Sequence, residues 1–396
     1  MRYYRLLQKP LKDHFKKFKQ AILLLGPRQA GKTTLLKHVF PKALYLLVDE
    51  KPVKSALETY SATTYKAFIK DADTVIIDEA HLLSDPGRMA KILYDQLPDL
   101  RLILTGSSSL RIKNRTAESM AGRAIDYFLY PLTFGEMLYQ LEVEDDANKF
   151  ILEKIMEAKA ALPAFVGRYD LNFWLNQTLK YGSYPEVINL SYDAKEEYLR
   201  NLADKAIFKD IVELNLISNR QVARKLLVLL AYQVGNIINY VELSRMVGAS
   251  IPTVQRYIEI FEQSFILFRV YPFTKNKRKE ITKSPKIYFW DVGLRNALLN
   301  NFADMQMRGD VGSLFENFIV SEIKKEVAYK YRNFVVNYWR SKQGSEVDVI
   351  LSEPGTGTIY ACEIKYTKEK ARFPKTFTNL YPQAKTYLIN SSNFWS

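Results

Sequence analysis

Residues 21–34 read Ala-Ile-Leu-Leu-Leu-Gly-Pro-Arg-Gln-Ala-Gly-Lys-Thr-Thr. The first five form a short apolar run, which is typical of a buried parallel strand. Residues 34–40 then have the apolar spacing of a helix. The motif G-x-x-x-x-G-K-T lies between them, so it has the strand-to-helix context that a phosphate-binding loop requires. This stretch predicts an α/β domain of the P-loop NTPase class.

The positions of the loop have separate expected roles in binding ATP and Mg²⁺. Gly26 and Gly31 let the backbone curl until its N–H groups face phosphate oxygens, and the next helix adds its positive amino end. Lys32 is expected to reach the β and γ phosphates, and the Thr33 hydroxyl to hold Mg²⁺. The predicted nucleotide-binding residues are Gly26, Pro27, Arg28, Gln29, Ala30, Gly31, Lys32, Thr33 and Thr34.

A second apolar run, residues 74–77, ends in the two acids Asp78 and Glu79. Open α/β sheets bind their ligands at the carboxyl ends of the strands, which is where these acids fall. We expect Asp78 to bind Mg²⁺ through water and Glu79 to polarise the water that attacks the γ-phosphate.

Two further residues are candidates for catalysis. A third apolar run, 101–105, leads into Gly106 and three serines. A hydroxyl there can sense the γ-phosphate or orient the water, with Ser107 as the first choice and Ser108 as the second. The alternative is a simple serine-rich turn. Arg123 follows Ala-Gly and fits an arginine supplied in trans to the γ-phosphate, which implies a homo-oligomer. Its alternative role is that of a structural cation.

Four segments together resemble a group of bacterial and archaeal AAA+-type ATPases, in which the ATPase is fused to a carboxy-terminal domain of the DUF4143 type. They are the loop Gly-Pro-Arg-Gln-x-Gly-Lys-Thr-Thr, the acids in Ile-Ile-Asp-Glu-Ala, the strand end Leu-Thr-Gly-Ser-Ser, and Tyr-Pro-Leu-Thr-Phe-x-Glu at 130–136. The resemblance extends over nearly the whole chain, and Gly-Ser-Tyr-Pro-Glu at 182–186 also resembles a family signature. It implies an assembly, with a hexameric ring as the candidate form.

The middle of the chain predicts a helical lid or connector followed by a winged helix. Helical periodicity dominates residues 147–217. After it, three helices with helix–turn–helix spacing precede two strands. Ser250 is the expected N-cap of the third helix. The predicted helices are 222–234, 240–247 and 253–261, and the predicted strands are 265–273 and 286–290.

A basic stretch connects those two strands. Residues 275–286 contain six Lys or Arg and one acid, so the winged helix would carry a charged wing. On DNA the third helix would lie in the major groove and the wing lysines would contact phosphates. The alternative is a winged helix used for packing or oligomerisation. The predicted DNA-binding residues are Thr253, Gln255, Arg256, Lys275, Lys277, Arg278, Lys279 and Lys283.

The carboxy-terminal third contains a hairpin whose charged residues converge. Folding residues 346–365 about a turn near 355–356 places Asp348 opposite Glu363, and Lys365 shares the face of Glu363. Glu316, on a preceding helix, would complete the set. Acids on neighbouring strands can hold Mg²⁺ or Mn²⁺ as hard oxygen ligands, and Lys365 would orient a water. The alternative is a solvent-facing sheet surface with cross-strand ion pairs.

The predicted order of these elements is αβββαβ. It resembles the PD-(D/E)xK nuclease fold, to which DUF4143 domains are assigned, and the Glu…Asp…Glu-x-Lys order is similar to that of archaeal Holliday-junction resolvases. The resemblance implies a metal-dependent nuclease-like domain, with branched DNA as the candidate substrate. A DNA-binding relic without cleavage is the alternative.

The composition of the chain favours one class of partner and excludes several kinds of site. The 396 residues carry a formal net charge of +14, which favours a polyanionic partner. The chain has one cysteine and three histidines, which exclude an intramolecular disulfide, a multi-cysteine zinc cluster and a histidine-rich metal site. No apolar run approaches the ~18 residues of a membrane span, so we expect no membrane association and a cytoplasmic protein.

The sequence therefore predicts four regions. They are an ATPase domain at 1–140, a helical lid or connector at 141–218, a winged helix at 219–290 and a nuclease-like domain at 291–396. The predicted function is ATP-dependent binding of DNA with remodelling or cleavage. Two alternatives stay open: an ATP-switched DNA-binding regulator with an inactive nuclease-like domain, and a signalling or scaffold NTPase whose winged helix binds protein.

Overall fold

The computed structural model describes residues 4–106, 120–157, 170–206, 217–274 and 283–395. They fall into two compact units. The amino-terminal unit is Tyr4–Pro131 with Gln263–Phe265, and the carboxy-terminal unit is Leu132–Glu262 with Ile266–Ser396.

The amino-terminal unit is built on a parallel sheet. Its strands are β1 (Ala21–Leu25), β2 (Leu44–Leu47), β3 (Thr74–Asp78), β4 (Arg101–Gly106) and β5 (Ala124–Phe128), in the order β2-β3-β4-β1-β5. Every residue of β1 is buried, as expected of a parallel strand covered on both faces. Because β4 lies between β1 and β3, the carboxyl ends of these three strands meet at one edge. The helices are α1 (Gln8–Lys17), α2 (Lys32–Val39), α3 (Lys51–Leu57), α4 (Ala62–Ile69) and α5 (Pro86–Gln96).

The carboxy-terminal unit begins with helices. They are α6 (Phe134–Gln140), α7 (Ile151–Glu157), α8 (Leu171–Tyr181) and α9 (Tyr192–Asn201), followed by α10 (Arg220–Tyr232), α11 (Tyr240–Val247) and α12 (Ile251–Gln263). Strands β6 (Leu267–Val270) and β7 (Lys286–Phe289) then pair antiparallel. Asn239 caps α11, and Gly248 ends it with a left-handed φ of 69°. Three helices and two strands thus occur in the predicted order.

The rest of this unit contains a second sheet. After α13 (Val292–Leu298) come α14 (Val311–Tyr329), β8 (Val335–Arg340), β9 (Glu346–Glu353), β10 (Thr358–Ile364), α15 (Lys375–Leu380) and β11 (Lys385–Ile389). The strand order is β11-β10-β9-β8, with β10 and β11 parallel and the other pairs antiparallel. The element order from α14 to β11 is the predicted αβββαβ.

Close backbone packing explains the Gly-Ser-Tyr-Pro-Glu segment. The Asp291 carboxylate, at the start of α13, accepts a hydrogen bond of 2.7 Å from the Ser183 backbone N–H. A Cβ atom on Gly182 would lie 2.1 Å from Asp291 Oδ1, and one on Gly293 would lie 2.1 Å from the Tyr181 carbonyl oxygen. The two glycines therefore let the end of α8 and the start of α13 touch.

Within the five described ranges, no helix combines the length and the apolar composition that crossing a membrane requires.

Candidate functional site

The loop between β1 and α2 has a backbone that only small residues allow. Gly31 has a φ of 92°, and a Cβ on Gly26 would lie 2.0 Å from the Leu129 carbonyl oxygen. Lys32 is buried, and its Nζ donates hydrogen bonds of 2.9 Å to the carbonyls of Gly26 and Pro27. The lysine thus lies folded over the loop in which phosphate is predicted to bind. Among the other loop residues, Ala30 is buried, Arg28 and Thr33 are half-buried, and Gln29 and Thr34 are exposed.

Asp78 is the hub of this centre. Its Oδ2 accepts hydrogen bonds from Thr33 Oγ1, at 2.6 Å, and from the Tyr45 hydroxyl, while Oδ1 accepts from Thr105 Oγ1 at 3.0 Å. Burial alone would raise the pKa of Asp78, but the three hydroxyl donors outweigh it and lower that pKa. The ionised carboxylate and the Thr33 hydroxyl form a pair of hard oxygen donors, which suits Mg²⁺.

Glu79 follows directly in a strained conformation. Its φ of 56° lies in the left-handed region, which is uncommon for any residue other than glycine. Its Oε2 lies 3.1 Å from His81 Nδ1. Burial raises the pKa of Glu79, and the nearby Asp78 charge adds to the rise. Backbone strain of this kind collects at functional sites, which agrees with the predicted role of Glu79 on the attacking water.

The sequence missed three residues of this centre. Tyr45 and Thr105 reach Asp78 from the neighbouring strands β2 and β4. Arg5 is buried, and its guanidinium donates hydrogen bonds of 2.6 Å to the carbonyls of Ala30 and Tyr130. No local pattern marks these residues, because each makes its contact far along the chain.

Replacing Tyr45 with phenylalanine tests its place in the centre. The substitution removes one hydrogen bond to a charged group, worth about 1.5–3 kcal/mol. We expect kcat/KM for Mg²⁺-ATP to fall about tenfold and the Mg²⁺ concentration for half-maximal rate to rise. Tyr65→Phe is the matched control, because the Tyr65 hydroxyl donates to the Leu57 carbonyl and not to Asp78. Equal kinetics for the two variants would remove Tyr45 from the centre.

The other two catalytic candidates have different outcomes. Ser107 lies outside the described residues. Arg123 immediately precedes β5, and its Nε donates a hydrogen bond of 3.0 Å to Asp95 Oδ1. It is therefore at the amino edge of the parallel sheet, about 16 Å of strand away from its own loop. Action of Arg123 in trans stays a prediction.

The second candidate centre lies on β9 and β10. Their register pairs Val349 with Cys362, so Asp348 falls opposite Glu363, as predicted. Lys365 Nζ lies 2.8 Å from Asp348 Oδ2 and 2.9 Å from Glu363 Oε2. Both acids are only 7% exposed, so they do not face solvent, although the ion pairs of the alternative are present.

Crowding of like charges shapes this acidic centre. Burial raises the pKa of Glu363 to about 7, and the neighbouring Asp348 charge contributes to the rise. Burial would lower the pKa of Lys365, but the two carboxylates outweigh it and raise that pKa. The pair of acids is thus placed where a cation is favoured, and Lys365 supplies one positive charge.

Glu316 lies on α14, as predicted, but its carboxylate has other partners. Oε1 accepts hydrogen bonds from the Tyr288 hydroxyl at 2.7 Å and from Lys286 Nζ at 3.3 Å. Among the residues that the structure describes, no group of three His, Cys, Asp or Glu side chains is arranged to hold a metal ion. Mg²⁺ is commonly bound by one or two carboxylates with water and phosphate oxygens, and Asp348 with Glu363 fits that pattern. A metal-ligand role for Glu316 stays a prediction.

Residues predicted to contact DNA converge in part. Gln255 and Arg256 on α12 and Lys283 before β7 line one cleft of about 540 Å³, although they are distant in sequence. Thr253 lies at the amino end of α12, where its Oγ1 is 2.8 Å from the hydroxyl of the capping residue Ser250. The remaining predicted contacts, Lys275, Lys277, Arg278 and Lys279, lie outside the described residues.

Three segments of the chain match family models. Residues 18–138 match an AAA domain (AAA_14), residues 172–305 a domain of unknown function (DUF8612), and residues 311–394 a domain of unknown function (DUF4143). The matches to an AAA domain and to a DUF4143 domain, in this order along the chain, support the coarse prediction. The middle match covers the predicted winged helix and part of the predicted connector.

Curated relatives share low identity with the chain. An uncharacterized protein of Methanocaldococcus jannaschii is 28% identical over 319 residues, which are 75% of this chain and 66% of that protein. An uncharacterized protein of Mycobacterium tuberculosis is 25% identical over 352 residues, 87% of this chain and 70% of that protein. The chain therefore spans about two thirds of the length of these relatives.

Two solved structures resemble the chain weakly, in both sequence identity and TM-score. The Walker-type ATPase of Pyrococcus abyssi is 15% identical with a TM-score of 0.41, over 74% of this chain and 94% of that one. AMPPCP-bound DnaA of Aquifex aeolicus is 17% identical with a TM-score of 0.28, over 65% of this chain and 86% of that one.

Proposed function

We propose that the chain hydrolyses ATP and uses the energy to bind and remodel DNA. The observation that carries the ATPase part is the Asp78 hub. It joins the hydroxyl of the P-loop residue Thr33 to the end of β3, with Glu79 next to it. The matched AAA domain supports this part of the proposal.

Each residue of the centre has a separate task in hydrolysis. Lys32 binds the β and γ phosphates once it leaves the loop carbonyls. Thr33 and Asp78 hold Mg²⁺, which neutralises phosphate charge when bound. Glu79 accepts the proton of the attacking water, and partial burial raises its pKa, which favours proton uptake. Arg123 of a second copy would stabilise the transition state, so the active form is a homo-oligomer, with a hexameric ring as the candidate.

The DNA-binding part of the proposal rests on the net positive charge of the chain and on where basic side chains lie. The chain carries a net charge of +14. Arg256, Lys283 and Gln255 line the cleft beside α12, together with the acid Glu259. Arg269 also lines it, with its guanidinium paired to Glu262. Such a surface suits phosphate and base edges, and the three helices and two strands around it have the order of a winged helix.

The salt dependence of binding tests the DNA part. Contact with about four phosphates releases about four counter-ions, so affinity is expected to fall roughly 100-fold between about 50 and 200 mM salt. Lys283→Ala should lower the slope of log K against log salt by about 1, measured by fluorescence anisotropy on duplex and four-way-junction DNA. Lys225→Ala, an exposed lysine on α10, is the matched control and should keep the native slope. Binding that does not respond to salt would reject the basic surface and favour a protein-binding scaffold.

A second candidate function is DNA cleavage, which the convergence of Asp348, Glu363 and Lys365 favours. The two carboxylates would hold Mg²⁺ or Mn²⁺, which activates water when bound. Lys365 Nζ, within hydrogen-bond distance of both acids, would orient that water and offset the charge that develops on the phosphate. Branched DNA is the candidate substrate, and an ATP-switched regulator without cleavage is the alternative.

A further inference from the structure

Lys286 is the last residue of the basic stretch 275–286 and the first residue of the predicted strand 286–290, and it is not among the predicted DNA contacts. It is also the first residue of β7. In the structure Lys286 is 2% exposed, and its Nζ lies 3.3 Å from Glu316 Oε1 and also contacts Glu346. The Tyr338 ring lies 5.6 Å from the same Nζ. Lys286 is therefore a buried partner of the acidic centre and does not contact DNA phosphates.

The backbone fixes Lys286 in this position. It is the first residue of β7 and pairs with Val270 of β6. On its other side it forms an isolated antiparallel bridge with Ile237. The Lys286 side chain starts from this paired backbone and is only 3% exposed, so its ammonium belongs to the interior of the centre.

Two lysines of the centre each contact two of its four acids. The Lys286 ammonium lies against two carboxylates, which compensate its charge in this buried position. Glu346 and Asp348 are two residues apart on β9 and so share one face of the sheet. Glu316 and Lys365 line one cleft, so the two groups of acids are neighbours. The contacts are those of Lys286 with Glu316 and Glu346, and those of Lys365 with Asp348 and Glu363.

We propose that Lys286 is a fixed cation of the acidic centre, which compensates Glu316 and Glu346, so that the centre takes up one divalent ion rather than two. This proposal rests on the proposed cleavage function. Two-metal centres hold their ions about 3.5–4 Å apart between shared carboxylates. Here the ammonium already occupies the carboxylates that a second ion would need, and its charge repels that ion. The single divalent ion binds at Asp348 and Glu363, because the Lys365 side chain is 34% exposed and can move aside, whereas that of Lys286 is 3% exposed.

The test counts bound Mn²⁺ on the full chain without nucleotide, by isothermal titration calorimetry. Ions that bind elsewhere are counted with Asp348→Asn and subtracted. The native chain is expected to show one Asp348-dependent Mn²⁺. In Lys286→Met, Glu316 and Glu346 lose their cation, and the number is expected to rise to two.

Lys325→Met is the matched control. Lys325 is also 2% exposed, and its Nζ lies 2.9 Å from Glu322, which belongs to neither acid pair of the centre. This variant should keep one Mn²⁺, so that a general effect of deleting a buried lysine is separated from the specific one. Two ions in the native chain, or one ion in Lys286→Met, would overturn the proposal.

A second variant covers the case in which Lys286→Met does not fold. Glu346→Gln keeps the buried lysine and is expected still to bind one Mn²⁺, because Glu346 contacts Lys286 and not the metal. The affinity should be weaker than native, since the loss of one acid leaves more of the Lys286 charge to repel the ion. Loss of that ion would overturn the proposal. Equal Mn²⁺ uptake by the native chain and Asp348→Asn has a different meaning: the metal centre itself is then absent, and the cleavage function fails with it.

Discussion

A Glu79→Gln chain is expected to bind ATP with native affinity and to hydrolyse it at least about 100-fold more slowly. A general base contributes roughly 10²–10⁴-fold to such a reaction, and glutamine cannot accept the proton of the attacking water. Binding should persist, because the phosphate contacts come from Lys32 and from the loop backbone, which the substitution leaves in place. The measurements are steady-state phosphate release and titration with a fluorescent ATP analogue.

Glu58→Gln is a suitable control for this experiment. Glu58 lies in the same unit, is partly exposed and accepts hydrogen bonds from Ser84, so its loss changes charge without touching the Asp78 hub. Hydrolysis by this variant should stay near the native rate. If Glu79→Gln also hydrolyses ATP at the native rate, Glu79 is not the base, and the left-handed φ at Glu79 has another cause.

Lys32→Ala tests nucleotide binding at the same centre. It removes the ammonium that reaches the phosphates, so both affinity and rate should fall, in contrast to Glu79→Gln. The comparison of the two variants distinguishes an ATPase whose base is missing from one that no longer holds its nucleotide.

Short-range patterns in the sequence predict the strands that carry both candidate centres. The apolar run before Gly26 predicts β1, which has the expected bounds, and alternation with period two predicts that Asp348 opposes Glu363. These inferences succeed because strand burial and hairpin register depend on residues close together in the chain.

Contacts between distant segments were not predictable in the same way. Tyr45 reaches Asp78 only because the sheet places β2 beside β3, and Arg5 meets Ala30 only because α1 packs near the loop. Lys286 shows the same limit most clearly. The sequence predicts that a strand begins at Lys286, which is correct, but not that the pairing of β6 with β7 buries this lysine beside carboxylates. Composition records charge, but tertiary structure decides which charges face solvent.

An Asp348→Asn chain is expected to lose DNA cleavage, by at least about 100-fold, while its ATP hydrolysis stays native. The amide is nearly isosteric and keeps an oxygen that accepts from the Ile364 backbone N–H, now at 2.7 Å, so the hairpin should stay folded. What it removes is the negative charge that holds the divalent ion and pairs with Lys365. Cleavage is measured on four-way-junction and duplex DNA with Mn²⁺ and ATP.

The matched control for that variant is Glu353→Gln. Glu353 lies at the other end of β9, where it accepts a hydrogen bond from Thr356 Oγ1 at 2.6 Å, so its loss tests charge on the same strand outside the centre. Cleavage by Glu353→Gln at the native rate, with none by Asp348→Asn, places the chemistry at the acidic centre. Native cleavage by both variants would remove Asp348 from it. A native chain that binds a junction in an ATP-dependent way but leaves it intact would contradict the cleavage function. It would favour the ATP-switched regulator, in which the ion pairs of Lys365 with Asp348 and Glu363 only stabilise the fold.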